Sequence, residues 1–379
     1  MSAQRLDCVF LGLSITSTWG NGHATTYRGL LKELSRRGHR VTFLERDVPW
    51  YSSNREFLEL PYCTVKLYSS IEELKDRFSR LLQRADITVV GSYVPDGIAI
   101  GRWVAETAKN VAAFYDIDTP VTLASLRAGT CDYISRDLYP AYEIYFSFTG
   151  GPTLSYIERS LGSPCARALY CSVDPELYYP EAHATKWDLG YLGTYAPDRQ
   201  PALQKLLIDV AWKEPEARFA VAGPQYPPDI KWPPNVNRIE HLPASEHRNF
   251  YNSQKFTLNI TRQDMIQAGY SPSVRLFEAG ACSIPILTDT WPGLESFFEP
   301  HFEILPVLTS ADVTSYMQMT FEQRALIGER ARRRTLRFHT SAVRAGEFEA
   351  EVNAAIERRA RAKRESRSAL KPSPTAAVI

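Results

Sequence analysis

Within the stretch GYSPSVRLFEAGACSIPILTD, Gly269 to Asp289, three side chains have types and spacings suited to phosphate and sugar chemistry. Ser271, Arg275 and Glu278 fall on one side of a helix at i, i+4 and i+7, while Val274, Phe277 and Ala281 form the apolar side. Ser271 followed by Pro272 predicts a helix start there, because serine caps a free N–H and proline loses nothing at the first helical position. A helix start presents free N–H groups and a partial positive charge to a phosphate, with Ser273 and Arg275 in its first turns. The Glu278 carboxylate, two turns along, suits a vicinal diol such as a ribose. A plainer reading of the same residues is an Arg275–Glu278 ion pair at i, i+3, worth a few tenths of a kcal/mol.

A second constellation lies in the first half. The loop SITSTWGNGH contains Trp19, Asn21 and Gly22 and delivers His23 to the start of a helix. Gly20 and Gly22 let the backbone approach a ligand, and a histidine there suits removal of a proton from an attacking hydroxyl. The alternative is that His23 caps its helix or bonds a carbonyl. The loop lacks the GxGxxG pattern, which excludes a dinucleotide site and favours an acceptor site. Asp116 and Asp118 follow the strand ending at Tyr115, at the edge where open sheets bind ligands. Asp116 is a rival base or an orienter of His23. Asp118 lines the acceptor site or caps the next helix, and the pair together permits a divalent-cation reading. Tyr93 and the loop holding Trp50 and Tyr51 open on the same edge, either to stack on an acceptor or as core.

Positioning these residues requires repeated strand–helix units. The pattern predicts strands over Leu6 to Leu13, Arg40 to Glu45, Cys63 to Leu67, Ile87 to Gly91, Val111 to Tyr115 and Ile144 to Phe148. Helices over Ala24 to Arg37, Ile71 to Arg84 and Gly97 to Asn110 alternate with them, followed by the glycine turn FTGGPTL. Periodicity lapses at SVDPELYYPEAHAT, and a second series begins at Asp188. It comprises strands near Asp188 to Leu192, Arg218 to Ala222, Asn237 to Glu240, Phe256 to Ile260, Ile284 to Leu287 and Phe302 to Leu305, with a helix over Gln200 to Trp212. Helices over Ala311 to Met319, Glu322 to Arg337 and His339 to about Arg364 end the chain. The expected fold class is α/β, with two Rossmann-like domains and parallel sheets facing across a cleft. The expected domains are residues 1–175, 176–338 and a returning helix with a basic tail, 339–379.

With 379 residues, 44% hydrophobic and 23% charged, the chain is long enough for two cores. A net charge of +1 provides no global attraction to nucleic acid, and none is expected as a partner. Six cysteines without CxxC or Cys/His clusters point to reduced thiols, with no structural zinc. The start runs straight into a core strand, and no apolar run reaches the ~20 residues that span a membrane, so a cytoplasmic location is expected. The tail after Ile356 is dense in arginine and lysine and offers peripheral contact with anionic lipid or a partner.

PSVRLFEAGACSIPILTD resembles the donor-binding segment of GT-B-fold glycosyltransferases. Together with SITSTWGNGHATTYRGLL, FYDIDTPVTL, SFTGGPTL and YCSVDPELYYP, it is similar to the spore-maturation CgeB-like glycosyltransferases from about Leu6 to Leu305. The resemblance implies metal-independent transfer of a hexose or related sugar from a UDP-, TDP- or GDP-sugar to an unidentified acceptor, with no cofactor. It also implies that Gly193, Thr194 and Arg199 meet the diphosphate and that the loop at Leu242 holds the base. Related retaining transferases carry two glutamates in the donor helix. Glu278 matches the second, and Tyr270 stands at the first. A sugar-nucleotide epimerase or a non-catalytic assembly protein of the same fold are the alternatives.

Overall fold

A strand covered by helices on both faces must be apolar at successive positions, and the central strands of this chain satisfy that condition. The computed structural model describes residues 5–18, 22–57 and 59–369. The first half places β1 (Asp7–Gly12), β2 (Arg40–Arg46), β3 (Thr64–Tyr68), β4 (Ile87–Gly91), β5 (Val111–Asp116), β6 (Ile144–Ser147) and β7 (Ala166–Ala168) in one sheet. Its order is β3-β2-β1-β4-β5-β6-β7, and every pair is parallel. The second half forms β8 (Trp187–Leu192), β9 (Phe219–Ala222), β10 (Val236–Ile239), β11 (Gln254–Asn259), β12 (Ile286–Thr288) and β13 (Leu305–Pro306). Its order is β10-β9-β8-β11-β12-β13, again parallel. The expected pair of parallel sheets is therefore present.

Alternation along each strand sorts side chains between two cores per sheet. In β1, Val9 and Leu11 join one cluster with Phe114 and Tyr145, while Cys8 and Phe10 join the other with Tyr27 and Phe43. In β9, Ala220 and Ala222 face Phe277, while Phe219 and Val221 face Leu207 and Phe256. The last helix, Ser341–Ala369, returns to the first sheet, where Ala345, Phe348, Val352 and Ala355 enter its core. Phe348 sits 5.7 Å from Phe10 and 5.2 Å from Phe146, ring to ring. The two chain crossings run side by side: Val173 N donates to His339 O at 3.0 Å and Ser341 N donates to Val173 O at 2.9 Å.

Most expected elements lie within two or three residues of their observed bounds. One differs in kind, two are added and one starts later. The helix expected over Gln200 to Trp212 is Gln200–Leu203, a π turn over Gln204–Ile208, and Asp209–Lys213. The short strand β7 and the one-turn helix Pro49–Ser52 are additions, too brief to show a period. The helix expected to start at Ser271 spans Val274–Ala281, with Ser273 at its N-cap. Ser271 is not a cap. It is buried, and its Oγ accepts a 3.0 Å hydrogen bond from Thr149 of the first half.

Glu45, at the end of β2, is fully buried and holds the loop after β1. Its carboxylate accepts from Ser14 Oγ (2.9 Å), Ile15 N (2.7 Å), Thr16 N (3.1 Å) and Thr16 Oγ1 (2.6 Å). Removing it strands several buried donors, each of which costs about 1–3 kcal/mol when unsatisfied. Glu45→Ala should lower unfolding free energy in urea by about 3 kcal/mol or more, and a change below about 0.5 kcal/mol would contradict this role.

Candidate functional site

In a doubly wound sheet, ligands meet the loops beyond the carboxyl ends of the two central strands, where the winding reverses. The first sheet reverses between β1 and β4, and the second between β8 and β11. His23 follows β1, Tyr93 follows β4, Gly193 to Arg199 follow β8, and Arg262 follows β11. Strand order thus brings together residues far apart in sequence.

In the second half Arg199 is 7% exposed. Its Nη2 donates to Thr194 O at 2.6 Å, while its buried Nε–H finds no acceptor among the described residues. Burial, then the nearby Arg275, and further off Arg262, push its pKa below the ordinary arginine value. No carboxylate lies within ion-pair distance of Arg199, Arg262 or Arg275 among the described residues, so the expected alternative of an Arg275–Glu278 pair does not form. Three guanidinium groups that repel one another favour an anion between them. Arg262 was missed by sequence reasoning, because TRQD carries no motif; its place follows from β11 lying beside β8. Asp289 fixes that loop by accepting from Thr261 N at 2.8 Å and Thr261 Oγ1 at 2.7 Å.

Around these cations the backbone is tight. A side chain on Gly193 would meet the Tyr191 hydroxyl, and one on Gly223, at φ +140°, would strike the Gly193 carbonyl. Thr194 is exposed, and Leu242 is half-buried against the second-half core. Tyr226 donates to Gly193 O at 3.0 Å, with Arg238 lying 4.1 Å over its ring. Ser273 makes no side-chain cap, which leaves the first amides of the Val274–Ala281 helix without one. Glu278, further along that helix, is 5% exposed and accepts from Tyr251 Oη at 3.2 Å.

The loop Gly269 to Pro272 joins the halves. Gly150 N donates to Tyr270 O at 2.9 Å, and Tyr270 N donates to Pro292 O at 2.7 Å. Tyr270 has a φ of +46°, and its ring fills the space that side chains on Gly151 and Gly293 would occupy. The position of the absent glutamate is therefore an aromatic packed into the seam.

In the first half His23 opens the helix His23–Arg36, half-buried, with its ring 5.3 Å from Tyr93. Surrounding protein atoms push its pKa down to about 4, so the imidazole is neutral at pH 7. Tyr93 adopts φ +61°, outside the usual region for a bulky residue, and donates to Asp118 Oδ2 at 3.1 Å. Asp118 stands at the N-cap of Thr119–Ala128 without capping it. Arg262 lies near enough to favour its ionised form, although burial raises its pKa overall.

Asp116 faces elsewhere. It is fully buried and accepts from Tyr145 Oη and, at 2.7 Å, from Thr122 Oγ1, while burial pushes its pKa up to about 6. The His23 chain of contacts thus leads through Tyr93 to Asp118. Among the described residues no group of three or more His, Cys, Asp and Glu is placed to hold a metal ion. Gly22 is exposed at the helix N-cap, and Trp19 and Asn21, expected in the acceptor loop, lie outside the described residues.

Residues 199–350 match a family model described as glycosyl transferase-like. No curated protein matches the chain. Among solved structures, sucrose-phosphate synthase from Thermosynechococcus elongatus is 12% identical, with 92% of this chain and 100% of that one covered at a TM-score of 0.64. HepE from Anabaena, in complex with UDP and glucose, is 11% identical, with the same coverage and a TM-score of 0.69. An alpha-glucosyltransferase in complex with UDP and a 13-mer DNA is 13% identical, with 92% of this chain and 100% of that one covered at a TM-score of 0.67. With two parallel doubly wound sheets and this coverage, the chain has the GT-B fold of glycosyltransferases, and its second half matches a glycosyl transferase-like family in sequence.

Proposed function

We propose that this protein transfers a sugar, a hexose or close relative, from a nucleoside diphosphate held by the second half to a hydroxyl presented by the first. The observation that carries the reading is the set of Arg199, Arg262 and Arg275, none with a carboxylate within ion-pair distance among the described residues, Arg199 being buried and within electrostatic reach of the other two. A leaving diphosphate gains negative charge as the sugar–oxygen bond breaks, and fixed cations stabilise that charge most where water is excluded. Three arginines supply positive charge that a divalent ion supplies elsewhere, which favours a metal-independent reaction. Glu278 receives the ribose diol, and the loop at Leu242 borders the base. The UDP in the HepE and alpha-glucosyltransferase structures makes UDP the first donor to test, before TDP and GDP.

In the reaction the acceptor oxygen bonds to the anomeric carbon, whose bond to the diphosphate oxygen breaks with both electrons leaving on the diphosphate. The acceptor proton passes to His23 in an inverting reaction. Tyr93 packs on that imidazole and links it to Asp118, which faces the acceptor beside Tyr93. Asp116 is the rival base. The halves, taken as residues 1–175 and 176–338, close over the hinge at Val173 and Thr340. The order of motifs further favours kinship with the CgeB-like transferases. Six free cysteines fit a cytoplasmic setting.

Titration calorimetry should show UDP binding that weakens about tenfold or more in Arg199→Ala, in Arg262→Ala and in Glu278→Ala, each tenfold being about 1.4 kcal/mol. Unchanged affinity in all three would sink the donor site. The acid limb of kcat/KM distinguishes the two bases, since a base works only when deprotonated and activity is lost as pH falls through its pKa. With His23 as base the limb lies near pH 4. A limb near pH 6 that disappears in Asp116→Asn would assign the role to Asp116.

A further inference from the structure

A cavity of about 920 Å³ opens where two helices of the first half, Thr119–Ala128 and Pro152–Leu161, face the helix Gln263–Ala268 of the second. Each of these helices begins directly after a residue of the candidate site: Asp118, Gly151 beside Tyr270, and Arg262. The inner end of the groove, at Pro120 and Asp264, is two residues along the chain from Asp118, which lies within electrostatic reach of both Arg262 and Asp264. From there it follows the Thr119–Ala128 helix, which at 1.5 Å per residue is roughly 15 Å long.

The lining changes character along this path. Asp264 stands near the inner end. Leu123, Pro152 and Tyr156 make the middle apolar, and Tyr156 leaves 37% of its surface open. Arg127 stands at the outer end, its Nε donating to Leu123 O at 3.1 Å and no carboxylate within ion-pair distance among the described residues. Arg199 and Arg275, proposed for the diphosphate, do not line this wall. A bare oligosaccharide would leave the apolar stretch poorly matched, whereas a hydroxylated amphiphile with an anionic terminus matches all three zones.

We propose that this groove is the acceptor site and that the acceptor is such a molecule: a hydroxyl near Asp118, an apolar body along Leu123, Pro152 and Tyr156, and an anionic group at Arg127. The assignment rests on the glycosyl-transfer reading and adds the acceptor class to it. The test uses the full chain with saturating UDP and two probes of equal length, ω-hydroxydecanoate and decanediol, followed by calorimetry or ligand-observed NMR. The wild type should bind ω-hydroxydecanoate about tenfold more tightly than decanediol, a preference that disappears in Arg127→Glu. Ala124→Trp, at an exposed position of the lining, should abolish binding of both probes. UDP affinity should be unchanged in both variants, which also shows that they fold. Wild-type binding of UDP with no saturable binding of either probe overturns the groove alone, as does a preference that persists in Arg127→Glu. Failure of UDP itself to bind overturns the donor reading on which the groove depends.

Discussion

A guanidinium that is nine-tenths buried, has no carboxylate within ion-pair distance among the described residues and feels the charge of two more guanidinium groups raises the free energy of the empty protein. Arg199 is in that position, and much of the second half is arranged to keep it there. The tight backbone at Gly193 and Gly223 brings two loops together beneath it, and the Thr194 carbonyl accepts one of its hydrogen bonds. Asp289 fixes the start of the Arg262 loop, while the Val274–Ala281 helix carries Arg275. In the proposed reading, binding a diphosphate relieves this repulsion, so part of the cost of assembling the cations returns as affinity.

The first half is ordered by a charge of the opposite sign. Glu45 is fully buried and satisfied by four donors from the loop after β1, which gives that loop a definite entry into the helix carrying His23. The strained Tyr93 backbone then places a phenol between imidazole and Asp118. Burial keeps His23 neutral, the form able to accept a proton. The two halves meet at Tyr270, and the paired crossings at Val173 and Thr340 bridge side by side.

Much of this was legible in the residues. Continuous apolar runs and period-3.6 patterns located both sheets because the central strands are buried on both faces, and the expected bounds of Ile71–Arg84 and Ile87–Gly91 are the ones observed. Motif order singled out Arg199, Arg275 and Glu278 for the donor site proposed above. The partners of Ser271 were not, because its hydroxyl is claimed by Thr149, which is 122 positions away in the chain. Asp116 and Asp118 are two residues apart yet face a buried tyrosine network and the cleft respectively, a difference set by the turn leaving β5. Arg262 and the Glu45 network depend on which strands lie side by side, information absent from local pattern.

The most direct measurement is a crystal structure of the protein with UDP bound. The expected density places the diphosphate oxygens within hydrogen-bonding distance of Arg199 and Arg275, with Arg262 drawn toward them and the ribose hydroxyls on Glu278. A nucleotide seated elsewhere, with Arg199 still lacking an anion and no ribose hydroxyl on Glu278, would contradict the account.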